Sequence, residues 1–379
     1  MEQYNGSELG QQVAAGTRRV SVQTLRAAGL GFLMLLAFAC GDPSIGEDSV
    51  EGIDPGAIDA ASDADEAASA DEEKGLFNWG SSGYSTKNRS VTLPGGDVMH
   101  YTETGPADGK TILLVHGYPT SAYLYRNVVK EICGDSGTAF RCVAPSHIGF
   151  GDSSCPGDGR SVDPGYEADR IEEFIDVLDL QDFALVVHDW GGPIGMAAGL
   201  RDSDRMTHLV ILNTFLRIDG PILSDLVDIV DLFNSNGPAL IRPIYPDFIK
   251  LVMQSLTNDW LGFSVRRNYA APYREWGGVG TCRLRASLNL FGKSDEAEGV
   301  AQEIEDGLTN DWAGMPTLFL WGEDDPLLGP NTQIGRDAHE QLAALVPQAD
   351  TIIIEDANHF MQEDQPEEIG REIANFVGQ

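Results

Sequence analysis

The sequence predicts an α/β fold: a mostly parallel central sheet flanked by helices, with a helical cap inserted into it. Three observations carry this. Continuous apolar runs, of the kind buried parallel strands need, recur at 111–115, 183–188, 316–321 and 351–354. Between such runs lie segments whose apolar residues have helical spacing, as at 171–180. Chemistry-bearing residues stand just beyond the runs: His116 and Gly117, then Asp189, then Asp324 and Asp325, then His359. The C-terminal ends of parallel strands are where open sheets place their ligands.

Each element follows from its residues. Residues 90–104 read as a hairpin, with Pro94-Gly95-Gly96-Asp97 as the turn. The strand at 111–115 comes next, then a helix over 123–132 and a strand over 140–145. A helix over 171–180 precedes the strand at 183–188, and another helix starts at Pro193. Residues 208–212 form a further strand. From about 216 to 300 the pattern changes: residues 222–233 and 248–256 have helical spacing and no buried strand is evident. A cap of helices, inserted after the sixth strand, explains this, and such caps exclude water and shape a pocket. Strand-type runs return at Pro316.

The most telling element is 184–192, where an apolar strand enters a tight turn at Asp189 and continues as Trp190-Gly191-Gly192 into a helix. In a strand–nucleophile–helix elbow, small residues after the apex let the helix pack close, and the apex side chain stays exposed above the sheet. Asp stands where an esterase would carry Ser. A carboxylate there attacks carbon and forms an ester that water must hydrolyse. Asp189 taken alone also suits a helix N-cap. The order of nucleophile, acid and histidine in the chain decides for the elbow. Of the adjacent acids, Asp325 is favoured over Asp324, because Gly-x-x-Asp-Pro places its carboxylate past the strand end.

The N-terminal part reads differently. Arg18, Arg19 and Arg26 precede a short apolar stretch at 27–39, and Ala37-Phe38-Ala39-Cys40 follows the pattern of a lipoprotein cleavage box. Residues 1–40 are therefore expected to be a signal segment ending at an acylated Cys40. Plain secretion and an uncleaved anchor are the alternatives. Residues 42–74 hold twelve acidic residues, one Lys and no aromatic, so 41–75 is expected to be a disordered tether. The expected core is 76–215 with 301–379, and the expected cap is 216–300. The location expected is the bacterial periplasm or cell surface, with membrane attachment through Cys40.

The net charge of −34 argues against nucleic-acid binding, which needs a basic footprint. No phosphate loop, dinucleotide fingerprint or metal-ligand spacing is present, so no cofactor and no metal are expected. In an exported chain the four cysteines after Cys40 suggest disulfides. Cys133 and Cys142 flank a short polar loop, which would leave Cys155 for Cys282. Sequence alone permits three connectivities.

The domain resembles the haloalkane dehalogenase group of α/β-hydrolases, close to epoxide hydrolases. The resemblance runs over most of 90–379. It rests on His116-Gly117-Tyr118-Pro119, the Asp189-Trp190-Gly191-Gly192 elbow, Tyr269-Ala270-Ala271-Pro272 in the cap, Asp325-Pro326-Leu327-Leu328-Gly329-Pro330, and His359-Phe360. It implies that Asp189 displaces halide from a small apolar substrate and that His359, oriented by Asp325, activates water against the ester. The backbone N–H groups of Tyr118 and Trp190 would form the oxyanion hole. The Trp190 indole would bind halide, and the Tyr118 hydroxyl could be a second donor; many dehalogenases carry Asn or Glu at that position, and an aromatic there is common in epoxide hydrolases. Trp260 and Trp276 lie in the cap region, but neither is at a convincing position. Epoxide hydrolysis is the alternative and would need cap donors, for which Tyr245, Tyr269 and Tyr273 are the candidates. Phe291 stands where a second such tyrosine is usual. A non-catalytic surface lipoprotein is the further alternative. Pro145-Ser146-His147 replaces a common Pro-Asp-x, and His147 is read as structural.

Overall fold

The computed structural model describes residues 86–134, 138–156, 162–217, 245–274, 282 and 295–379. All lie in the unit Ala70–Gln379. The signal segment, the tether, the stretch 222–233, Trp276 and Phe291 fall outside the described residues.

Eight strands form a single sheet in the order β1-β2-β4-β3-β5-β6-β7-β8. β1 (Thr86–Thr92) and β2 (Val98–Thr104) make the expected hairpin. β2 also runs antiparallel to β4 (Phe140–Pro145). From there the sheet is parallel: β4, β3 (Lys110–Val115), β5 (Phe183–His188), β6 (Met206–Leu212), β7 (Thr317–Gly322) and β8 (Asp350–Ile354). Every residue of β5 and β7 is buried, which is why both read as unbroken apolar runs rather than as alternations.

Helices cover both faces. One layer of core packs α1 (Arg126–Cys133) and α9 (Pro366–Gly378) against Ile112, Leu114, Val186 and Val210. The other packs α2 (Pro164–Val177), α3 (Gly191–Arg201) and α6 (Asp295–Asn310) around Phe174, Leu185, Val187 and Trp312. Two further helices, α7 (Gln333–Leu345) and the short α8 (Met361–Asp364), follow β7 and β8. α2 begins seven residues before the helical spacing becomes visible. The Asp163 side chain caps it by accepting the Tyr166 N–H, and Pro164 opens its first turn.

Between β6 and β7 the described residues contain, besides α6, the helices α4 (Tyr245–Ser255) and α5 (Phe263–Ala270) and no strand; α4 and α5 form the described part of the cap. Their apolar faces meet Tyr123, Leu124 and Phe360 in a separate cluster with Tyr245, Ile249, Met253, Tyr269 and Tyr273. The cap helices therefore pack on the loops that follow β3 and β8, where the candidate residues stand. Cys133 is joined to Cys142, and Cys155 to Cys282. Among the described residues no helix is long and apolar enough to cross a membrane.

Candidate active site

The apex of the turn after β5 is Asp189, whose backbone is left-handed at φ 51°. A non-glycine residue is held there only when its surroundings over-determine it. Here the Thr214 hydroxyl donates to the Asp189 carbonyl at 2.5 Å, and the Asp189 N–H donates to the Asn213 carbonyl at 3.2 Å. A Cβ on Gly192 would stand 1.8 Å from Thr214 Oγ1, and one on Gly117 would stand 2.4 Å from the Asp189 carboxylate. Glycine at both positions is a condition of the turn. The helix starting at Gly191 is capped by Trp190, without a side-chain bond, so the Asp189 carboxylate is not spent as a cap.

That carboxylate is buried at 8% exposure. Its Oδ1 accepts the Tyr118 main-chain N–H at 2.7 Å, and the Trp190 main-chain N–H also hydrogen-bonds the group. Its Oδ2 lies 3.5 Å from His359 Nε2. The far ring nitrogen, Nδ1, is 2.8 Å from Asp325 Oδ2. Asp325 Oδ1 accepts the N–H groups of Leu327 (2.7 Å) and Leu328 (3.1 Å), so this carboxylate is fixed by the turn that follows β7. Asp324 instead accepts from the Asn258 side chain at 2.7 Å. The structure thus brings Asp189, His359 and Asp325 into one line and leaves Asp324 outside it.

The electrostatics follow from the three charges. Burial lowers the affinity of His359 for its proton, but Asp325 and Asp189 together outweigh this and raise its pKa to about 10. For Asp189, burial raises the value, while the hydrogen bond and charge of His359 outweigh it, so the carboxylate sits below its ordinary range. Asp189 is therefore an anion beside an imidazolium at neutral pH.

Aromatic rings wall the carboxylate. Tyr118 stands edge-on to Phe150 (centroids 4.3 Å apart) and to Trp190 (6.3 Å), and Trp190 is edge-on to Phe215 (4.9 Å). The Tyr118 phenol oxygen is buried without a hydrogen-bond partner. Burial first, then the charge of Glu167, pushes its pKa well up, so it remains a neutral donor.

The cap tyrosines have other partners. The Tyr269 hydroxyl donates to Glu363, and the Tyr273 hydroxyl donates to the Pro119 carbonyl at 3.1 Å. Tyr245 stands edge-on to Tyr273 and stacks on Phe248. Trp260 is 70% exposed, on the outer surface of the cap. Among the described residues no group of His, Cys, Asp and Glu could hold a metal ion.

Two arrangements had no sequence signal. Arg126 forms a bidentate pair with Glu363 at 2.5 and 2.7 Å and lies over the Tyr123 ring. With Tyr269 it ties the cap to the segment after His359. The second is a buried cluster of His116, His147 and Glu167 behind the Tyr118 turn.

Known proteins of similar sequence and structure place the fold and the family. The family model described as alpha/beta hydrolase fold matches residues 110–366. A cis-3-alkyl-4-alkyloxetan-2-one decarboxylase of Xanthomonas campestris is 29% identical over 313 residues, 78% of this chain and 97% of that protein. Haloalkane dehalogenase 2 of Mycobacterium tuberculosis is 30% identical over 289 residues, 74% of this chain and 91% of that one. Among solved structures, haloalkane dehalogenase DbeA from Bradyrhizobium elkani superposes with a TM-score of 0.63 at 22% identity, covering 78% of this chain and 98% of DbeA. The chain belongs to the α/β-hydrolase family and is haloalkane dehalogenase-like within it.

Proposed function

We propose that this hydrolase removes halide from small apolar haloalkanes, with Asp189 as nucleophile, His359 as base and Asp325 as its partner. The observation that carries the reading is a carboxylate at the elbow with two amide donors on it and an Asp–His pair beside it. Asp189 Oδ2, the oxygen not taken by Tyr118, attacks the halogen-bearing carbon. The carbon–halogen bond breaks with its electron pair, and halide leaves toward the Trp190 indole and the Tyr118 hydroxyl, both of them donors.

Alkylation then changes His359. Asp189 becomes a neutral ester, so one of the two anions holding the imidazolium proton is gone. The proton leaves with the halide, and His359 becomes a base when there is an ester to hydrolyse. Water gives a proton to Nε2 and its oxygen attacks the Asp189 carboxyl carbon. The oxyanion forms on Oδ1, against the Tyr118 and Trp190 N–H groups, where each preorganised donor supplies about 3–4 kcal/mol. Collapse breaks the carboxyl–oxygen bond, and the alcohol departs with the proton from His359. The balance is haloalkane and water to alcohol, halide and a proton.

A second reading has its own support in the decarboxylase relative, which matches over nearly its whole length. The same site would then open an oxetan-2-one ring and release carbon dioxide. Epoxide opening is less supported, since the Tyr269 and Tyr273 hydroxyls are committed to Glu363 and Pro119. We further propose export with membrane attachment through acylated Cys40, tested by labelling with a radioactive fatty acid and its loss in Cys40→Ala.

The test of activity is bromide release from short bromoalkanes by the full chain, with Asp189→Ala as control, alongside a cis-dialkyl oxetan-2-one and an epoxide. Bromide release that needs Asp189 supports dehalogenation. Carbon dioxide or diol without bromide replaces it by the corresponding alternative.

A further inference from the structure

The Tyr118 N–H is aimed at Asp189 by a turn that ought to be loose. Gly117 precedes it and has no Cβ, because a Cβ would overlap the Asp189 side chain. A glycine leaves two peptide planes free to swing, those joining 116 to 117 and 117 to 118. An oxyanion donor that swings is a poor one, since misplacement of about 1 Å can cost 10²-fold in rate.

Side chains clamp both planes at their carbonyls. His147 Nε2 lies 2.8 Å from the His116 carbonyl and must donate to it. His116 Nδ1 lies 2.8 Å from the Gly117 carbonyl. The tautomers are fixed by what the other nitrogens do. The His147 main-chain N–H donates to His116 Nε2 at 3.1 Å, so that nitrogen is bare and Nδ1 carries the proton. Burial holds His116 well below its ordinary range, which keeps it neutral. The Thr120 hydroxyl adds a second side-chain donor to the Gly117 carbonyl at 2.6 Å. In a trans peptide the C=O and the following N–H point opposite ways, so gripping the Gly117 carbonyl aims the Tyr118 N–H.

Behind the clamp stands Glu167, fully buried in the first turn of α2. Its Oε2 accepts the Ile148 N–H at 3.2 Å and lies 3.6 Å from His147 Nδ1. Neither its Oε1 nor His147 Nδ1 has a hydrogen-bond partner. Burial raises the Glu167 pKa and favours its protonated form, and the ring that grips His116 is the imidazole it faces. A neutral His147 that donates from Nε2 has a bare Nδ1, and a protonated Glu167 carboxyl facing that nitrogen keeps the ring in the tautomer whose N–H meets the His116 carbonyl.

We infer that Glu167, His147 and His116 form a positioning chain that aims the Tyr118 N–H at the oxyanion of the ester-hydrolysis step. The inference rests on the proposed reading of Asp189 as nucleophile. It makes Glu167 and His147 positioning residues for the second chemical step, since the first builds no oxyanion on Oδ1.

The experiment compares wild type with His147→Leu, Thr120→Val and His147→Gln, in the full chain. His147→Leu removes the donor to the His116 carbonyl. Thr120→Val removes a donor to the Gly117 carbonyl without changing shape. His147→Gln keeps an N–H within reach of His116. In His147→Leu and Thr120→Val, hydrolysis slows about 10- to 100-fold while alkylation persists. Rapid-quench assays then give a bromide burst of one per site, and intact mass shows the alkyl ester. His147→Gln restores steady turnover. A loss of fold cannot imitate this, because a stoichiometric burst needs an intact nucleophile. Hydrogen exchange gives a readout without substrate: the Tyr118 amide exchanges at least about tenfold faster in both variants. Unchanged exchange at Tyr118 overturns the inference, as does burst-free turnover in Thr120→Val and His147→Leu. If wild type releases no bromide, the reading of function fails, and Tyr118 exchange alone decides the chain. If His147→Leu does not fold, Glu167→Leu decides by the same Tyr118 exchange, faster exchange supporting the chain and unchanged exchange overturning it.

Discussion

Asp325→Asn should stop the enzyme after alkylation, and the geometry says why. Asp325 Oδ1 accepts two main-chain N–H groups, from Leu327 and Leu328. An asparagine must turn its carbonyl oxygen to them, because the flipped amide would leave two buried N–H groups unpaired at about 1–3 kcal/mol each. Its NH₂ group is then forced to face His359 Nδ1, where Oδ2 now sits at 2.8 Å. A donor there requires Nδ1 to accept, so the imidazole proton moves to Nε2. That nitrogen can no longer take a proton from water. A wrong imidazole tautomer in an Asp–His pair costs about 10⁴ in rate, or about 5.5 kcal/mol. Alkylation needs Asp189 and no base, so it continues. Rapid-quench bromide release should show one equivalent and then almost none, and intact mass should show the ester on Asp189. Hydrolysis within tenfold of wild type would refute the reasoning, as would the loss of the burst from folded protein.

Three other perturbations follow. Stability should fall in alkali through His359: its pKa is about 10 when folded and 6.5 otherwise, so its contribution is complete below the unfolded value and lost as pH rises through the folded one. Urea midpoints at about pH 6 and about pH 10 should differ, and His359→Phe should flatten the slope. Removing the Cys155–Cys282 bridge, which closes a sequence separation of 127, should cost about 5 kcal/mol in a chain-entropy estimate, against about 3 kcal/mol for Cys133–Cys142 with a separation of 9; thermal unfolding of the paired Ser variants checks the order. Tyr118→Phe removes a buried hydroxyl with no partner, so the fold should lose nothing, while a role in halide binding predicts weaker bromide product inhibition, by about tenfold, the scale of one hydrogen bond to a charge.

What could be read from the chain was what local physics writes locally. The elbow was legible because a fully buried strand, a turn and two glycines lie within nine residues, and each restricts the others. Asp325 was separable from Asp324 because a proline follows it and fixes the turn. The start of α2 was misjudged by seven residues, since its first turn is polar and its cap, Asp163, resembles any loop aspartate. Glu167 lies in that turn. Nothing in its neighbourhood says it is buried, because what buries it is a histidine twenty positions earlier, after a different strand. The Arg126–Glu363 clamp spans a separation of 237 and is a product of topology alone.

The leaving group decides what a site of this kind must supply. A halide departs as a stable anion and asks only for donors. The oxygen of an opened epoxide stays tethered as an alkoxide, a strong base, and asks for a proton. The described cap tyrosines with resolved partners spend their protons on Glu363 and Pro119, and moving Tyr269 would leave Glu363 short of a partner beside Arg126. Beside the carboxylate stand two main-chain N–H groups and the unpartnered Tyr118 phenol, donors of the kind a departing anion needs. On the proposed reading such donors suit displacement, and the burden of the second step falls on the two amides and on the turn that aims one of them.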